Sequence, residues 1–558
     1  MKEYIVNVLE DVLAGKLKKE EIESLVEVPP QQEMGDFAFP CFSLAKIEKK
    51  SPLAIAQDLV EKIRKNLPKQ ISGVELKSAY VNFFIDKKFL AETVLKEATK
   101  KGYGSSKEGK GKKIVVDLSS PNIAKPFGIG HLRSTIIGGS IANIANYLGY
   151  KAVKINYLGD WGTQFGKLTV GFNHWGDEKK LKENPIAHLL ELYVKANAEE
   201  YEQEARDEFR KLENGDKNNL ALWKKFRDLS LKEFDEIYKF LGVKFDVISG
   251  ESLYNDKMDS VVKKLEKKRL LKESEGAQVV DLEKDGLGVV LIKKNDGTSL
   301  YATRDLTAAI DRYEKYKFDK MIYEVGQEQK LHFRQVFRVL KLLGYNFSDS
   351  CVHVAHGLYL DEDGKKFATR KGKTVMMKDV IHETYEIAKE SLKKRGETLS
   401  ELDLDFRARA IALAAILYGD LKNYRENDVI FDLDKFLEFE GNTGPYLLYS
   451  YARASSILRK VKDKKNKLEI FDLSKEETAL LTKLQNYPGV IKQAYSQLAP
   501  NLIANYAYEL AQMFNEFYHV HPVIGSKEEA FRLKLIEAFR NVLKSALNLL
   551  GIQELDEM

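Results

Sequence analysis

Cysteine is scarce in this sequence, whose 558 residues include only Cys41 and Cys351. Two cysteines cannot form a Cys-rich zinc site, and they exclude the disulfide framework of a small secreted domain. Long apolar runs are also missing, because no stretch approaches the roughly 18 residues of a membrane-spanning helix. The first residues, MKEYIVNVLEDVLAG, carry acids within an apolar pattern, which predicts an amphipathic helix rather than a signal peptide. These absences predict a cytoplasmic protein with no membrane partner.

Neither sign of charge is in large excess, since 89 basic and 84 acidic residues give a net charge of +5. This balance permits a large acidic partner but does not require one. The sequence contains no internal repeat and no low-complexity segment. Its length exceeds what one hydrophobic core accommodates and predicts roughly three or four domains.

The pattern along the chain predicts an α+β N-terminal domain, an α/β middle domain and an all-α C-terminal bundle, with boundaries at 1–110, 111–402 and 403–558. The first domain has strand material in VELKSAYVNFFI (74–85). In the last domain, a capping box from Ser526 to Glu529 opens a final helix that closes at Gly551.

The middle domain has the pattern of a doubly wound, Rossmann-like parallel sheet. Its first strand is the apolar run IVVDL (114–118), followed by a helix that Gly149 stops and by a second strand, KAVKINYL (151–158). Charged helical patterns then predict a helical insertion at about 177–250. Alternation of strands and helices returns in three later strands of the same sheet, LGVVLI (287–292), KMIYEV (320–325) and VHVAHGLYL (352–360). Ligands of such a sheet bind at the carboxyl ends of its strands.

The segment SSPNIAKPFGIGHLRST (119–135) lies where the first strand passes into its helix. It lacks the GxxxxGK[ST] pattern of a P-loop, and Arg133 stands where a GxGxxG motif has its third glycine. Free amides at the helix N-terminus, with Gly128 and Gly130 allowing close approach, favour an anion site. The alternative is a Gly-rich turn in which His131 is an ordinary polar residue.

A second cluster, DGKKFATRKGKT (363–374), follows a late strand and is dense in lysine and arginine. Adenylyl transfer needs positive charge on both sides of the α-phosphate, because a carboxylate attacks and pyrophosphate leaves. A basic loop late in the domain and a Gly/His turn early in it suit that reaction. The alternative is a solvated basic loop.

The two clusters resemble the "HIGH" and "KMSKS" signatures of the class I aminoacyl-tRNA synthetases. Over nearly its whole length the chain is similar to the arginyl-tRNA synthetase family. Further segments carry this resemblance in the family's order: GDFAFPCFSLAK (35–46), NYLGDWGTQFG (156–166), SGES (249–252), YATRD (301–305) and EGNTGPYLLYSYARASSILRK (440–460). The resemblance implies ATP-dependent activation of L-arginine and its transfer to the 3′-terminal ribose of the cognate tRNA.

Both signatures depart from the family pattern. Gly128 stands in place of the first histidine, which removes one expected contact to ATP, and Thr369 stands where the second lysine belongs. The resemblance assigns the missing charge to Lys125, while Arg370 and Lys371 are rivals for that role. The expected catalytic residues are Lys125, His131, Lys366, Arg370 and Lys371. The extended first signature comprises Pro121, Asn122, Ile123, Ala124, Lys125, Pro126, Phe127, Gly128, Ile129, Gly130 and His131.

The guanidinium of a substrate arginine is best recognised by carboxylates in a fork geometry. Tyr301 and Asp305 lie one helical turn apart and share a face, although Asp305 could instead cap a helix beginning near Thr303. The resemblance implies an arginine site of Ser119, Ser120, Asn122, His131, Glu251, Tyr301, Asp305 and Gln329. It implies an ATP site of Lys125, Gly128, Gly130, His131, Gly357, Leu358 and Lys366. Mg²⁺ is expected on the ATP phosphates, without a dedicated protein cage.

RNA-binding motifs of the RNP and KH types are absent. Tyr446, Tyr449 and Arg453 are candidates for stacking unpaired tRNA bases, although tyrosines at such spacings are often core residues. The resemblance makes the C-terminal bundle the anticodon-binding domain and the N-terminal domain a binder of the tRNA elbow. A monomer is expected. Two other functions stay open at this point: a small-molecule adenylyltransferase, and a silent paralogue that only binds tRNA.

Overall fold

The computed structural model describes residues 1–293, 301–367, 369–370, 373–394, 399–461, 469–470 and 472–558. The chain divides into two compact units. The first contains Met1–Tyr103, Arg453–Pro488 and Glu509–Lys544, and the second contains Gly104–Ala452, Gly489–Tyr508 and Ser545–Met558.

The N-terminal part is an α+β structure around a three-stranded antiparallel sheet of order β1-β3-β2. Its elements are α1 (Lys2–Leu13), α2 (Lys19–Leu25), β1 (Phe37–Pro40), α3 (Ala45–Glu48), α4 (Pro52–Lys65), β2 (Ile71–Lys77), β3 (Tyr80–Ile85) and α5 (Lys87–Ala98). The predicted strand material at 74–85 is a hairpin, whose turn places Ser78 at a φ of 54°. Phe39 and Phe83 are fully buried on facing strands and form part of its core.

Strands and helices alternate through the middle of the chain. In order they are β4 (Lys113–Asp117), α6 (Gly130–Tyr147), β5 (Lys151–Leu158), α7 (Gln164–Trp175), α8 (Glu178–Glu183), α9 (Pro185–Lys195), α10 (Glu202–Glu213), α11 (Lys217–Leu241), β6 (Val247–Gly250), α12 (Met258–Lys267), β7 (Leu271–Ser274), β8 (Ala277–Asp281), β9 (Val289–Lys293), α13 (Tyr301–Tyr316), β10 (Lys320–Gly326), α14 (Lys330–Leu343) and β11 (Cys351–His356).

A five-stranded parallel sheet of order β11-β10-β4-β5-β6 forms the centre of this unit. Its apolar runs are buried on both faces, as in Val115 and Val116 of β4, which is why continuous hydrophobicity identified the strands. The insertion is helical as predicted, because α8 to α11 occupy Glu178–Leu241. The predicted doubly wound fold class is confirmed.

One predicted strand lies in a different sheet. The run at 287–292 corresponds to β9, which belongs to a separate three-stranded antiparallel sheet of order β7-β8-β9. Its alternating exposure, with Val289 and Leu291 exposed and Val290 and Ile292 buried, shows a sheet covered on one face. Period-two burial is typical of antiparallel sheets and differs from the two-sided burial of the central strands.

The rest of the chain is largely helical. Its elements are β12 (Tyr359–Leu360), β13 (Thr369–Arg370), β14 (Lys373–Thr374), α15 (Met377–Lys394), α16 (Glu401–Leu421), β15 (Val429–Ile430), α17 (Leu433–Phe436), α18 (Gly444–Lys460), α19 (Lys475–Ser496), α20 (Asn501–Val520) and α21 (Glu529–Leu549). The predicted strand at 352–360 is split, because β11 ends at His356 and β12 pairs with β15.

The predicted capping box is wrong. Helix α21 begins at Glu529, and the Ser526 hydroxyl donates to the Val523 carbonyl instead of accepting from an amide of the first turn. The Glu529 carboxylate accepts from the Gly525 amide. Both side chains therefore stabilise the preceding turn, while Gly551, at a φ of 82°, follows the helix end as predicted.

Two adjacent glycines of α6 give a matched test of its packing. A Cβ at Gly138 would lie 2.6 Å from Leu118 Cβ, whereas a Cβ at Gly139 would meet Val243 at 3.6 Å, an ordinary contact. We expect Gly138→Ala to lower stability by about 1–3 kcal/mol through overpacking. Gly139→Ala should be neutral or stabilising by up to about 1 kcal/mol through helix propensity. Thermal unfolding of the two variants checks this, and equal melting temperatures would contradict it.

Candidate active site

The loop after β4 has an unusual backbone. Ser119, Ser120 and Ala124 have φ values of 73°, 49° and 59°, a left-handed region that residues other than glycine seldom adopt. Helix α11 holds two of them: the Tyr238 hydroxyl bonds Ser119 Oγ at 2.7 Å, and the Ala124 amide donates to Ser230 Oγ at 2.8 Å. Strain of this kind persists only where surrounding contacts fix it, and it concentrates at functional sites.

Below this loop lies a buried ion pair that sequence reasoning missed. Arg312 of α13 and Asp117 at the end of β4 are 2.7 Å apart. The rings of Tyr157 and Tyr323 have their centroids 4.9 and 5.6 Å from the guanidinium. Asp117 Oδ1 also accepts from Ser120 Oγ at 3.1 Å. The pair therefore fixes one of the predicted arginine-site residues from below.

His131 stands in the first turn of α6, with its ring 5.1 Å from that of Phe127. Its Nδ1 atom is buried and has no hydrogen-bond partner among the residues that the structure describes. Burial lowers the pKa of His131 to about 4. The imidazole is therefore neutral near pH 7, and Nε2 is the ring nitrogen that could meet a ligand, because Nδ1 is buried.

A cavity of about 140 Å³ joins the two signature segments. Five residues predicted to bind ATP line it: Gly128, Gly130, Gly357, Leu358 and Lys366. Its other lining residues are Ile129, Arg133, His356, Tyr359, Phe367 and Val375. The structure therefore brings the first turn, the strip after β11 and the start of the basic loop together, as the resemblance implies.

Gly357 and Gly128 differ in why glycine fits. A Cβ at Gly357 would lie 2.6 Å from the Asn427 carbonyl oxygen, so close backbone approach requires glycine there. A Cβ at Gly128 would meet only the Val375 carbonyl oxygen, at 3.7 Å. Packing in the described structure therefore does not require glycine at 128, the position of the departure from the family signature.

Two buried basic side chains line the same cavity. Arg133 pairs with Asp420 at 2.9 Å and donates to the Asn427 carbonyl at 2.8 Å. His356 Nδ1 lies 3.0 Å from a Glu324 carboxylate oxygen. Each of the two basic side chains is therefore paired with a buried acid.

Backbone hydrogen bonds join the two signature segments directly. The Met377 amide donates to the Phe127 carbonyl at 2.8 Å, and the Ile129 amide donates to the Val375 carbonyl at 3.2 Å. Gly128 and Met376 face each other across this short antiparallel bridge. The segment after the basic loop is therefore attached to the turn that begins α6.

The candidates for the missing second lysine are placed unequally. Lys125 is half-buried, and its Nζ lies 5.4 Å from the ring centroid of Tyr193 on α9. Arg370 lies in β13, and its side chain lies outside the described residues, as does the whole of Lys371. The choice among the three therefore stays a prediction.

Two carboxylates are predicted to bind the guanidinium: Glu251, which follows β6, and Asp305, which lies in α13. Glu251 comes directly after β6, 3.5 Å from the guanidinium of Arg304. Burial raises the pKa of Glu251 to about 7, opposed by Arg304 and reinforced by the Asp305 charge. Asp305 lies one turn inside α13 and is not its cap. Its Oδ2 is 2.6 Å from His332 Nε2, a contact that sequence reasoning missed.

The other predicted arginine contacts are spread between interior and surface. Ser119 is buried and engaged with Tyr238, whereas Ser120 is half-buried. Asn122 and Gln329 are exposed, the latter in the turn before α14. Tyr301 is 68% exposed at the start of α13.

The predicted tRNA contacts lie on α18. Tyr446 and Tyr449 are half-buried, and the Tyr446 ring lies 5.6 Å from that of Tyr508. Arg453 donates to Asn515 and lies 5.4 Å from the ring centroid of Tyr518. Their part in RNA binding stays a prediction.

Two structural features are absent from the described part of the chain. No helix there is long and apolar enough to cross a membrane. No group of three or more His, Cys, Asp or Glu residues there is arranged to hold a metal ion.

A parallel sheet whose Gly-rich first turn and the start of a late basic loop flank one cavity is the arrangement expected of a class I aminoacyl-tRNA synthetase. A family model described as "tRNA synthetases class I (R), catalytic domain" matches residues 92–433. Two others match at either side: the arginyl tRNA synthetase N-terminal domain at 1–85 and the DALR anticodon binding domain at 447–558. The chain belongs to the arginyl-tRNA synthetase family.

Its relatives are similar over their full lengths. The arginine–tRNA ligase of Clostridium perfringens is 46% identical over 555 residues, which cover 97% of each chain. That of Halothermothrix orenii is 44% identical over 568 residues, covering 100% of this chain and 99% of the other. The family's reaction is the ATP-dependent ligation of arginine to tRNA, which makes this chain an arginine–tRNA ligase by membership.

Solved structures share the fold. Thermus thermophilus arginyl-tRNA synthetase has a TM-score of 0.84 at 24% identity, covering 99% of this chain and 100% of that one. The Plasmodium falciparum enzyme has a TM-score of 0.82 at 24% identity, covering 100% and 99%.

Proposed function

We propose that the chain forms arginyl-adenylate in the crevice at the carboxyl ends of β4, β5, β6 and β10, with ATP in the cavity between the signature segments. The observation that carries this proposal is the convergence on that cavity of Gly128, Gly130, Gly357, Leu358 and Lys366. These residues come from three separate segments, and the proposed adenylyl transfer places the nucleotide against all three segments.

In the proposed reaction, the carboxylate oxygen of arginine attacks the α-phosphorus of ATP, and the bond to the bridging oxygen of pyrophosphate breaks. Lys125 and Lys366 supply positive charge to the phosphates, and neutral His131 donates a hydrogen bond where negative charge develops. The amides of the first turn of α6 add to this field. No protein nucleophile is needed, because positioning and charge stabilisation lower the barrier.

The substrate arginine would lie across the strand ends. Glu251 and Asp305, with the hydroxyl of Tyr301, would bind its guanidinium, and Ser120, Asn122 and Gln329 would bind its amino and carboxylate groups. Ser119 would support this loop from below, through its bond to Tyr238. The half-buried position of Asp305 and the burial of Glu251 favour strong charge pairing with a guanidinium.

Mg²⁺ would arrive with the nucleotide. Among the described residues that line the cavity there is no carboxylate, so the cavity wall offers no ligand of the kind that Mg²⁺ prefers. The ATP phosphates and water would hold the ion, which neutralises phosphate charge when bound.

The tRNA would contact both ends of the chain. The proposed division keeps 1–110 for the tRNA elbow, 111–402 for catalysis and 403–558 for the anticodon, with Tyr446, Tyr449 and Arg453 as base contacts. The protein would act as a cytoplasmic monomer and would require bound tRNA before it forms the adenylate.

The test is ATP–pyrophosphate exchange with arginine, run with and without a tRNA that accepts arginine. Exchange only with tRNA supports the proposal. Exchange that ignores tRNA would indicate a small-molecule adenylyltransferase, and tRNA binding without any exchange would indicate a silent paralogue.

The raised pKa of Glu251 predicts a pH-dependent affinity for arginine. Because that pKa is about 7, the ionised fraction of Glu251 falls as the pH falls through 7. A neutral carboxyl cannot pair with a guanidinium, so the arginine KM should rise up to about tenfold per pH unit below 7. Initial rates from pH 6 to 8.5, with the ATP KM as the reference, measure it. A slope in Glu251→Gln equal to that of the unchanged protein would rule out Glu251 as its source.

A further inference from the structure

Three acids lie close together at the base of the proposed arginine pocket, and each has a basic partner. Asp117 pairs with Arg312 at 2.7 Å, Glu251 with Arg304 at 3.5 Å, and Asp305 with His332 at 2.6 Å. Burial raises the pKa values of both Asp117 and Glu251, and the charge of Asp305 adds to this in both cases. The three acids therefore share one electrostatic environment.

The pairs differ in depth and in the kind of cation. Side-chain exposure is 2% and 5% for Arg312 and Asp117, 10% and 15% for Arg304 and Glu251, and 24% for both His332 and Asp305. Arginine keeps its charge under all working conditions, whereas histidine can lose it. The most exposed acid of the three is thus the one whose partner is a histidine rather than an arginine.

The geometry of the outermost pair leaves room for a second contact. A carboxylate only accepts hydrogen bonds, so the proton between the two groups belongs to Nε2 of His332. That bond occupies Oδ2 and leaves Oδ1 of Asp305 for another donor. A neutral imidazole makes this bond without adding positive charge.

We propose that His332 is a positioning residue for the arginine guanidinium. It fixes the carboxylate of Asp305 through a hydrogen bond that it can donate whether the imidazole is neutral or charged. Because an imidazole can be neutral, the incoming guanidinium does not meet a permanent positive charge at this position. This proposal rests on the proposed function of the site, in which Asp305 binds that guanidinium. It assigns to α14 a part in substrate specificity that no signature segment supplies.

The test uses a charge series at position 332. The arginine Kd is measured by calorimetry with tRNA present, and the KM for ATP and kcat are measured by pyrophosphate exchange. His332→Gln keeps a neutral donor at a similar reach and should stay within about threefold of the unchanged protein. His332→Ala removes a charge-assisted bond and should weaken arginine binding about tenfold. His332→Lys places a permanent cation beside the site and should weaken it about tenfold further. The KM for ATP should not change in any variant.

Gln335→Ala is the matched control, since Gln335 lies on the same helix and donates to the Leu287 carbonyl at 2.7 Å rather than to an acid assigned to the pocket. It should leave the arginine Kd unchanged. Equal Kd values in the Ala and Lys variants, or a Gln variant as weak as Ala, would overturn the proposal, because a merely structural histidine does not follow charge. Arginine binding without any exchange in the unchanged protein would overturn the proposed function and leave the order of Kd values to decide this inference.

Discussion

Asp305→Asn is expected to raise the arginine KM roughly 30- to 800-fold while the ATP KM stays within about threefold. This range follows because removing the charge from one side of a desolvated charge pair costs about 2–4 kcal/mol. Asparagine keeps the shape of the side chain but removes the charge that faces the guanidinium. The amide also has one acceptor oxygen where the carboxylate has two, so it can accept from His332 Nε2 or from the guanidinium but not from both. Both effects act on arginine and not on the nucleotide.

Helix α13 supplies the control for this substitution. Asp311 lies on the same helix and pairs with Lys257 at 2.6 Å on the surface. Asp311→Asn removes an acid from the same element but should leave both KM values within about twofold, as expected for an exposed ion pair. Citrulline, which has a neutral urea in place of the guanidinium, gives a second readout, because the Asp305 variant should discriminate less between the two amino acids. An unchanged arginine KM in Asp305→Asn would remove this residue from the pocket.

The second large effect is expected at His131. We expect His131→Ala to lower kcat for pyrophosphate exchange by roughly 10²- to 10³-fold, the usual cost of removing one donor to a developing oxyanion. Because burial lowers its pKa to about 4, His131 is neutral throughout the physiological range, so it acts through a hydrogen bond rather than a charge. The pH profile of kcat for the unchanged protein should therefore contain no titration step near pH 6.5 that disappears in His131→Ala.

His174 provides a residue-matched control, since it is an exposed histidine in α7 that contacts Glu204 at 3.1 Å. His174→Ala should leave kcat unchanged. The tRNA affinity of His131→Ala should equal that of the unchanged protein, which separates a loss of chemistry from a loss of folding. A His131 variant with full kcat would show that the first turn of α6 acts through its backbone alone.

Much of the fold could be predicted because buried parallel strands have a simple signature. The runs at 114–118, 151–158 and 320–325 match β4, β5 and β10 to within one residue, since short apolar runs rich in β-branched residues are typical of buried strands. The run at 287–292 was equally clear as a strand, but periodicity does not identify a strand's partners, and β9 pairs in a different sheet. The spacing of Ser526 and Glu529 predicted a cap, yet the same side chains can bond a turn instead.

The candidate site was predictable at its signatures and not at its buried charges. Gly128, Gly357 and Lys366 were named from separate segments, and the structure brings them to one cavity. The pairing of Arg312, Arg133 and His332 with acids was not predicted, because a charged residue in a helix gives no sign of whether it faces solvent or an acid. One signal was available: His332 lies three residues after Gln329, on the same helical face as a residue already assigned to the pocket.

The bridge between the Phe127–Ile129 and Val375–Met377 segments is built from amides and carbonyls alone. The hydrogen bonds of this bridge do not depend on which side chains the residues carry, because every donor and acceptor belongs to the backbone. The absence of histidine at position 128 and of a lysine in the basic loop therefore leaves the bridge between these two parts of the proposed nucleotide site intact. The bridge does require the amide hydrogens of residues 129 and 377, so proline at either position would remove one of its hydrogen bonds.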